Sequence, residues 1–529
     1  MKSRKLAVFG HKEAQGRNEK AKFSMLEKLI FSLDKNAKTS LQMQIRQIFV
    51  ESILKRILMP GDKLPSSREL SVQLSVSRNT VNLAYQALID NEYIEARPRS
   101  GYVVSQHAPV GRLESASYSD DEALAEELVD WSDKLVAPVS DIRLVQKPVN
   151  WREYDYPFIY GQTDSTLFAH SQWRDCSRQA LGLRDFGNTV GDFGFHDDPM
   201  LVNYICSRSL PRRGIQVTSD QILVTLGAQN ALYLVAQLLI DESKTVIIEE
   251  PSYPDLRDIL GRRTKKIISQ PLDNEGMVLN EAVLAKADIV CITPSHQCPT
   301  TTTMSLERRR DLLALAQKYN FLIVEDDYEF EMNFIEKPSP ALKSLDKTGH
   351  VIYVGSLSKS LFPGLRLGYL VASPFLMQQA RSLRHLILRH PPGHTQRTAA
   401  YFLALGHYEA QLRRLRRHLE RRRQVLQDLL AKEPLFHQTA SHFGGTSFWI
   451  EGPDWLDSRI LAKQAAEQGV LIEAGDVFFD PSEPKMNYFR IAYSSIDETK
   501  IPKGFAILVR IFHQLANEHH NRQSSRQSA

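Results

Sequence analysis

The chain has 529 residues, 42% of them hydrophobic and 24% charged, with a formal net charge of +4. That length exceeds one ordinary core and implies two or three domains. No uncharged apolar run is long enough to span a bilayer, the basic N-terminus lacks the apolar stretch of a secretory signal, and the four scattered cysteines form neither a zinc cluster nor a disulfide framework, so the chain is expected in a reducing cytoplasm.

Charge is unevenly placed. Residues 1–105 hold 18 Lys and Arg against 10 Asp and Glu, which leaves the remainder slightly acidic. A basic first fifth on a near-neutral body points to a nucleic-acid contact at that end. Residues 1–35 read as a basic lead. Ile45, Ile48, Phe49, Ile53, Ile57 and Leu58 then recur near helical spacing over 42–58, and Pro60-Gly61 stops that helix. A short helix follows Ser66, another opens near Ser77, and Tyr93 to Val104 reads as a small hairpin. Residues 106–150 read as a linker, with seven acidic residues against one Arg between 111 and 130.

From 151 the pattern changes. Short apolar runs (QILVTLG, TVIIEE, DIVCITP, FLIVEDD, VIYVGS) alternate with helical stretches. Near-continuous Val and Ile runs of this length predict buried, mostly parallel strands with helices on both faces, an α/β architecture. Ligand sites in such sheets lie at the carboxyl ends of the strands. A long Arg-rich helix and a small α+β region follow to about 516, and residues 517–529 are expected to be disordered.

The order helix, turn, helix, hairpin over PGDKLPSSRELSVQLSVSRNTV suits DNA. Ser66 or Ser67 caps the first helix with Glu69 in the reciprocal position, and Ser77 caps the second. Arg78, Asn79 and Thr80 then face outward, where Arg and Asn pair with base edges and Ser77 and Thr80 take phosphate. Arg68 and Arg99 can reach phosphate or the minor groove. LPSSREL and VSRNTV resemble the winged helix-turn-helix of GntR-type regulators over about 40–105 (36–105 with its lead-in). A single head of this kind reads a half-site, so a dimer is implied.

In the body, SLSKSLFPGLRLGY sets Lys359 among Ser356, Ser358 and Arg366. A buried lysine among cations has a lowered pKa and can form an imine, while two hydroxyls and a guanidinium suit phosphate. FLIVEDDYEFE ends a strand on three acids, of which Asp326 can pair with a protonated pyridine nitrogen and Tyr328 can donate to a phenolic oxygen. Acids at a strand end also suit a divalent metal, but no Walker-type loop or second metal cluster accompanies them. Gly227, Ala228 and Gln229 open a helix whose N–H groups can meet phosphate. Tyr253 offers an aromatic platform, and Arg490 suits a substrate carboxylate.

Together these segments resemble the class I aminotransferases, fold type I pyridoxal 5'-phosphate (PLP) enzymes, over about 151–516. The resemblance implies Lys359 as the Schiff-base lysine, Asp326 as the pyridine partner, Tyr328 and Gln297 on the O3' side and Tyr253 stacked on the ring. It further implies Ser356, Ser358, Arg366 and the 227–229 backbone around the phosphate, Arg490 as carboxylate clamp, and a homodimer. GQTDSTLF at 161–168 resembles the segment shaping the substrate side. A GntR-type head, a linker and this body resemble the MocR-type transcriptional regulators. Such a chain is expected to bind PLP and operator DNA, and to alter DNA binding on sensing an amino acid, an amine or PLP. The alternative is a working aminotransferase with an accessory DNA-binding head. Two segments depart from the family: HQCPTT carries Thr301 where a glycine is usual, and FGFHDDP stands at 193–199.

Overall fold

The computed structural model describes residues 33–527 apart from 38, 99–100, 109–129, 193, 335–338 and 439–443. The basic lead to residue 32, the acidic run of the linker, Arg99 and Phe193 therefore lie outside the described residues. The chain divides into two compact units, residues 1–136 and 137–529.

Among the described residues, the first unit has three α-helices, α1 (Leu41–Leu54), α2 (Ser67–Gln73) and α3 (Arg78–Asp90). Its small antiparallel sheet comprises β1 (Lys63–Leu64), β2 (Ile94–Arg97) and β3 (Gly101–Val104), with β3 central. Helical spacing puts Ile45, Phe49 and Ile53 of α1 on one face, and they bury against Val81, Tyr85 and Leu88 of α3. Each such side chain withdrawn from water contributes about 1.5–3 kcal/mol before chain entropy is subtracted. The Tyr85 hydroxyl, buried with the ring, donates to the Pro65 carbonyl at 2.8 Å and ties α3 to the approach of α2.

The second unit is built on an eight-stranded sheet: β4 (Ile222–Thr225), β5 (Val246–Glu250), β6 (Ile267–Asp273), β7 (Gly276–Met277), β8 (Ile289–Ile292), β9 (Leu322–Asp327), β10 (Val351–Ser356) and β11 (Gly368–Val371). Their spatial order is β4-β11-β10-β9-β8-β5-β6-β7. The four pairings from β10 across to β6 are parallel. β11 runs antiparallel to both β10 and β4, and β7 to β6, so the sheet is mixed, with a parallel centre. Two successive reversals restore direction, so β4 ends at the same edge as β9 and β10. Apolar clusters cover both sheet faces, one including α4 (Gly227–Leu239) and the other α5 (Leu306–Tyr319).

A long helix α6 (His407–Leu430) leads to a four-stranded sheet of β12 (His437–Gln438), β13 (Ser447–Glu451), β14 (Glu473–Ala474) and β15 (Tyr488–Ala492), in the order β12-β13-β15-β14. The final helix α7 runs Ile501–Gln527. It therefore extends through most of the tail expected to be disordered. Buried Ile501, Phe505, Leu508 and Phe512 fix its first turns, and each further residue then adds a hydrogen bond to an existing helix. The expected linker is also shorter than 106–150. Arg262 donates to the Pro138 carbonyl at 3.0 Å, and the Arg143 amide to Asp258 at 3.0 Å, so residues 137–150 belong to the body.

Candidate functional site

The head presents its expected contact residues on a capped helix pair. Ser66, not Ser67, caps α2: its hydroxyl accepts from the Glu69 amide at 3.2 Å while Glu69 accepts from the Ser66 amide at 2.8 Å. Ser77 accepts from the Thr80 amide at 3.1 Å and so starts α3. Its hydroxyl also meets that of Thr80 at 2.8 Å, so both serve the cap. Arg68, Arg78 and Asn79 are exposed. Arg78 is not free in direction, because its Nε donates to Ser67 at 3.3 Å.

In the body, strand geometry sorts the three acids of FLIVEDD. Side chains alternate across a strand, so Asp326 faces away from Glu325 and Asp327. Asp327 pairs with Arg213 at 2.6 Å and accepts from the Tyr353 hydroxyl at 2.8 Å, all within the interior. Glu325 accepts from the amides of Leu342 and Lys343, each at 2.8 Å. Both are occupied in holding the scaffold. Asp326 alone lines the cavity at the sheet's carboxyl edge. Acids split between faces cannot chelate one metal, and no metal-binding group of His, Cys, Asp or Glu occurs among the described residues.

The same cavity gathers Lys359, Ser356 and Ser358 from the end of β10, Tyr253 after β5, Tyr328 after β9, Ala228 and Gln229 from the first turn of α4, and Arg366. Gly227 adopts φ +79°, and a Cβ there would lie 3.2 Å from the Arg366 guanidinium. Arg366 itself holds a left-handed backbone and donates to the Leu226 carbonyl at 3.1 Å, which fixes its fork beside the helix start. Amides of a helix N-terminus, two serines and a guanidinium make an anion site.

Burial lowers the Lys359 ammonium to about 8, with Lys147 and Arg490 adding to the effect against Glu329. A neutral amine is thus available near neutral pH. Burial raises Asp326 to about 7, with Asp327 contributing and Lys359 opposing. Tyr328 is pushed well above its ordinary value by burial, so its phenol stays protonated and can donate. Asp326 Oδ1 and Ser358 Oγ are buried without a hydrogen-bond partner. A pyridinium N–H and a phosphate are groups that would satisfy them, so the residues present fit PLP.

Two expectations change. Gln297 does not line this cavity. Its amide nitrogen donates to the carbonyls of Pro251 at 2.8 Å and Cys298 at 2.9 Å, and its oxygen accepts from Thr300, so its capacity is spent on its own loop and on the segment that follows β5. Arg490 is buried and paired: Nε and Nη2 each reach Glu473 Oε2 at 2.7 Å, and its guanidinium lies 4.0 Å over the Tyr160 ring. It stands beside the cavity with a counter-ion already in place. Thr301 keeps the left-handed backbone a glycine would take, at φ +63°, and is buried. The described part of the 193–199 departure, residues 194–199, lies away from the cavity: Asp197 binds Arg381 at 2.9 Å, Asp198 binds Arg397 at 2.6 Å, and Phe195 stacks on His385. Sequence reasoning missed Tyr160, Cys298 and Pro363 in the wall, and Lys147, Glu329 and Glu473 around it. Tyr160 directly precedes the singled-out GQTDSTLF, and its aromatic character was the available signal.

Residues 180–507 match the family model of class I and II aminotransferases, and residues 41–104 that of the bacterial gntR-family regulatory proteins. The chain is 44% identical, over 91% of its length and 98% of the relative's, to HTH-type transcriptional regulator TauR of Rhodobacter capsulatus. The chain belongs to the MocR-type regulators. It is also 28% identical to the probable rhizopine catabolism regulatory protein MocR of Rhizobium meliloti, over 91% of this chain and 95% of that one. Among solved structures it resembles the α-aminoadipate aminotransferase LysN of Thermus thermophilus, crystallised with N-(5'-phosphopyridoxyl)-L-leucine. That likeness has a TM-score of 0.66 at 26% identity and covers 74% of this chain and all of that one. This MocR-type chain is thus a transcriptional regulator with a GntR-type DNA-binding head and a ligand-sensing body of the PLP-binding aminotransferase fold.

Proposed function

We propose that the body holds PLP on Lys359 and that an amino acid or amine reaching that site changes how a homodimer grips operator DNA. The observation that carries this reading is the convergence of Lys359, Asp326, Tyr253, Tyr328, Ser358 and Arg366 on one cavity whose buried Asp326 and Ser358 oxygens lack partners. When bound, PLP supplies an aldehyde for amine capture and a ring that accepts electrons. Asp326 would hold the ring nitrogen, Tyr253 one ring face and Tyr328 the phenolic oxygen. Ser356, Ser358, Arg366 and the 227–229 amides would hold the phosphate. Lys359, lowered to about 8, can give and take a proton near neutral pH. A ligand acts on DNA only to the extent that it binds the DNA-competent and DNA-incompetent states unequally, and DNA must then alter ligand affinity by the same factor.

The test is a titration of the full chain onto genomic DNA flanking its own coding region, with visible absorbance followed as PLP and candidate amino acids are added. Specific DNA binding that shifts with ligand and is abolished or locked in Lys359→Ala supports the sensor. Multiple turnover between amino and oxo acids with DNA affinity indifferent to ligand would instead make the body an aminotransferase.

A further inference from the structure

The pair formed by Arg490 and Glu473 poses an electrostatic difficulty for any acid-bearing ligand. Their side chains are 4% and 0% exposed, and they sit opposite each other on adjacent strands β15 and β14. The pair is close to neutral, so a carboxylate drawn to Arg490 would meet the Glu473 charge at nearly the same distance. Burial pushes the Glu473 carboxyl up, but Arg490 and then Lys147 pull it below the usual carboxylate range, so Glu473 keeps its charge.

Lys147 resolves the difficulty. Its ammonium lies 3.1 Å from Glu473 Oε1 and donates to the Tyr160 carbonyl. The Tyr160 amide donates to the same Oε1 at 3.1 Å. A side chain at Gly161 would lie 2.9 Å from the Lys359 ammonium and 3.7 Å from that of Lys147, so both ammonium groups crowd one glycine at the cavity. Arg490 and Lys359 stand 4.0 and 4.1 Å from the Tyr160 ring, with Lys147 at 5.9 Å. With Lys147 present, the group of two cations and one carboxylate has a net charge of one positive unit in a site walled by buried side chains. Glu473 can satisfy Lys147 and leave Arg490 available to an incoming acid. Lys147 reaches this position because Arg143 fastens the preceding turn, through its amide to Asp258 and its Nη1 to the Phe479 carbonyl at 2.8 Å.

We propose that Lys147 is a ligand-binding residue of this site, supplying the net positive charge through which the Arg490–Glu473 pair accepts the acid group of an amino-acid effector. The inference rests on the reading of the cavity as a PLP-borne amine site and adds the ligand class: an amine that also bears an acid, in preference to a simple amine.

The experiment compares L-alanine and β-alanine with ethylamine, the acid-free counterpart of both, on PLP-loaded full-length protein. Binding is read from the change in visible absorbance and by calorimetry. Lys147→Gln should weaken whichever amino acid binds by about 10- to 100-fold, the effect of one unit charge at a few ångströms under partial screening. It should leave ethylamine within about twofold, and Lys147→Arg should restore the preference. Melting temperatures of the three proteins, taken without added ligand, reveal any general damage. Loss of amino acid and ethylamine binding to the same extent would show that Lys147 merely packs the segment and would overturn the inference, as would an unchanged amino-acid affinity. If neither amino acid moves the wild-type spectrum or heat, the amine-site reading itself falls and the inference with it.

Discussion

Asp326 and Asp327 are chemically identical neighbours, yet they should respond oppositely to loss of charge. Asp327 forms an interior pair with Arg213, whose side chain is 1% exposed and also donates to the Ser339 carbonyl and Ser295. Asp327→Asn takes from that guanidinium the carboxylate that hydrogen-bonds it, and breaking a buried pair from one side costs about 3–5 kcal/mol. Asp326 has no such partner, and burial raises it from 3.8 to about 7. The folded state therefore binds a proton more readily than the unfolded state, and the Asp326 contribution to stability declines as pH rises from 3.8 to about 7, then stays level. Across that interval the loss is on the order of 4 kcal/mol at 1.36 kcal/mol per pH unit. Asp326→Asn removes it, so at pH 8 the cofactor-free variant should be more stable than wild type by about 2–4 kcal/mol, a gain that vanishes below the ordinary carboxylate range. The assay is urea unfolding of cofactor-free protein at pH 8 and pH 4, followed by PLP titration at pH 8. Asp326→Asn should bind PLP much more weakly despite its greater stability. Equal destabilisation by both substitutions, or undiminished PLP affinity in Asp326→Asn, would refute the assignment of the two acids to opposite faces.

Further expectations concern separate parts of the chain. PLP association should accelerate as pH rises to about 8, where the Lys359 amine becomes neutral, rather than at the ordinary lysine value of 10.5; stopped-flow absorbance across pH 6–10 checks this. Ser77→Ala should cost about 1 kcal/mol of stability, because the Thr80 amide loses its acceptor at the start of α3, readable as a lower urea midpoint. In DNA titrations at several salt concentrations, Arg68→Ala should reduce the salt slope by about one phosphate contact, while Asn79→Ala should relax preference at a single base pair by about 1–3 kcal/mol. Thr301→Gly should be close to neutral in thermal melts: release of left-handed strain of about 1–2 kcal/mol offsets the freedom a glycine adds to the unfolded chain.

What was legible in the sequence was what is local. The Ser66–Glu69 box is three residues wide, and hydroxyl, amide and carboxylate find one another without help from the fold. Lys359, Ser356 and Ser358 share one turn, and Asp326 follows from period-two alternation once its strand is recognised. What was not legible depends on distant partners. The Tyr160 amide bonds to Glu473 across 313 residues, and no spacing rule couples them. Gln297 does not reach the cavity because a glutamine in a loop can turn either way, and here its own turn and the distant Pro251 carbonyl take every group it offers. The tail of α7 was misread because HNRQSSRQSA has no apolar face of its own, whereas its helix is set by Phe505 and Phe512 upstream.

The registry of β14 and β15 has a consequence for anyone wishing to retune this regulator. Because Glu473 and Arg490 are cross-strand partners buried together, and Lys147 leans on the same carboxylate, the three form one engineering unit. Replacing Arg490 alone to admit an uncharged amine would leave Glu473 facing a single cation; replacing Glu473 alone would leave two cations crowded beside Lys359. Libraries that vary Arg490 or Glu473 alone therefore change the charge balance of the site together with its shape, and a biosensor for a new class of amine is better sought among simultaneous changes at all three positions.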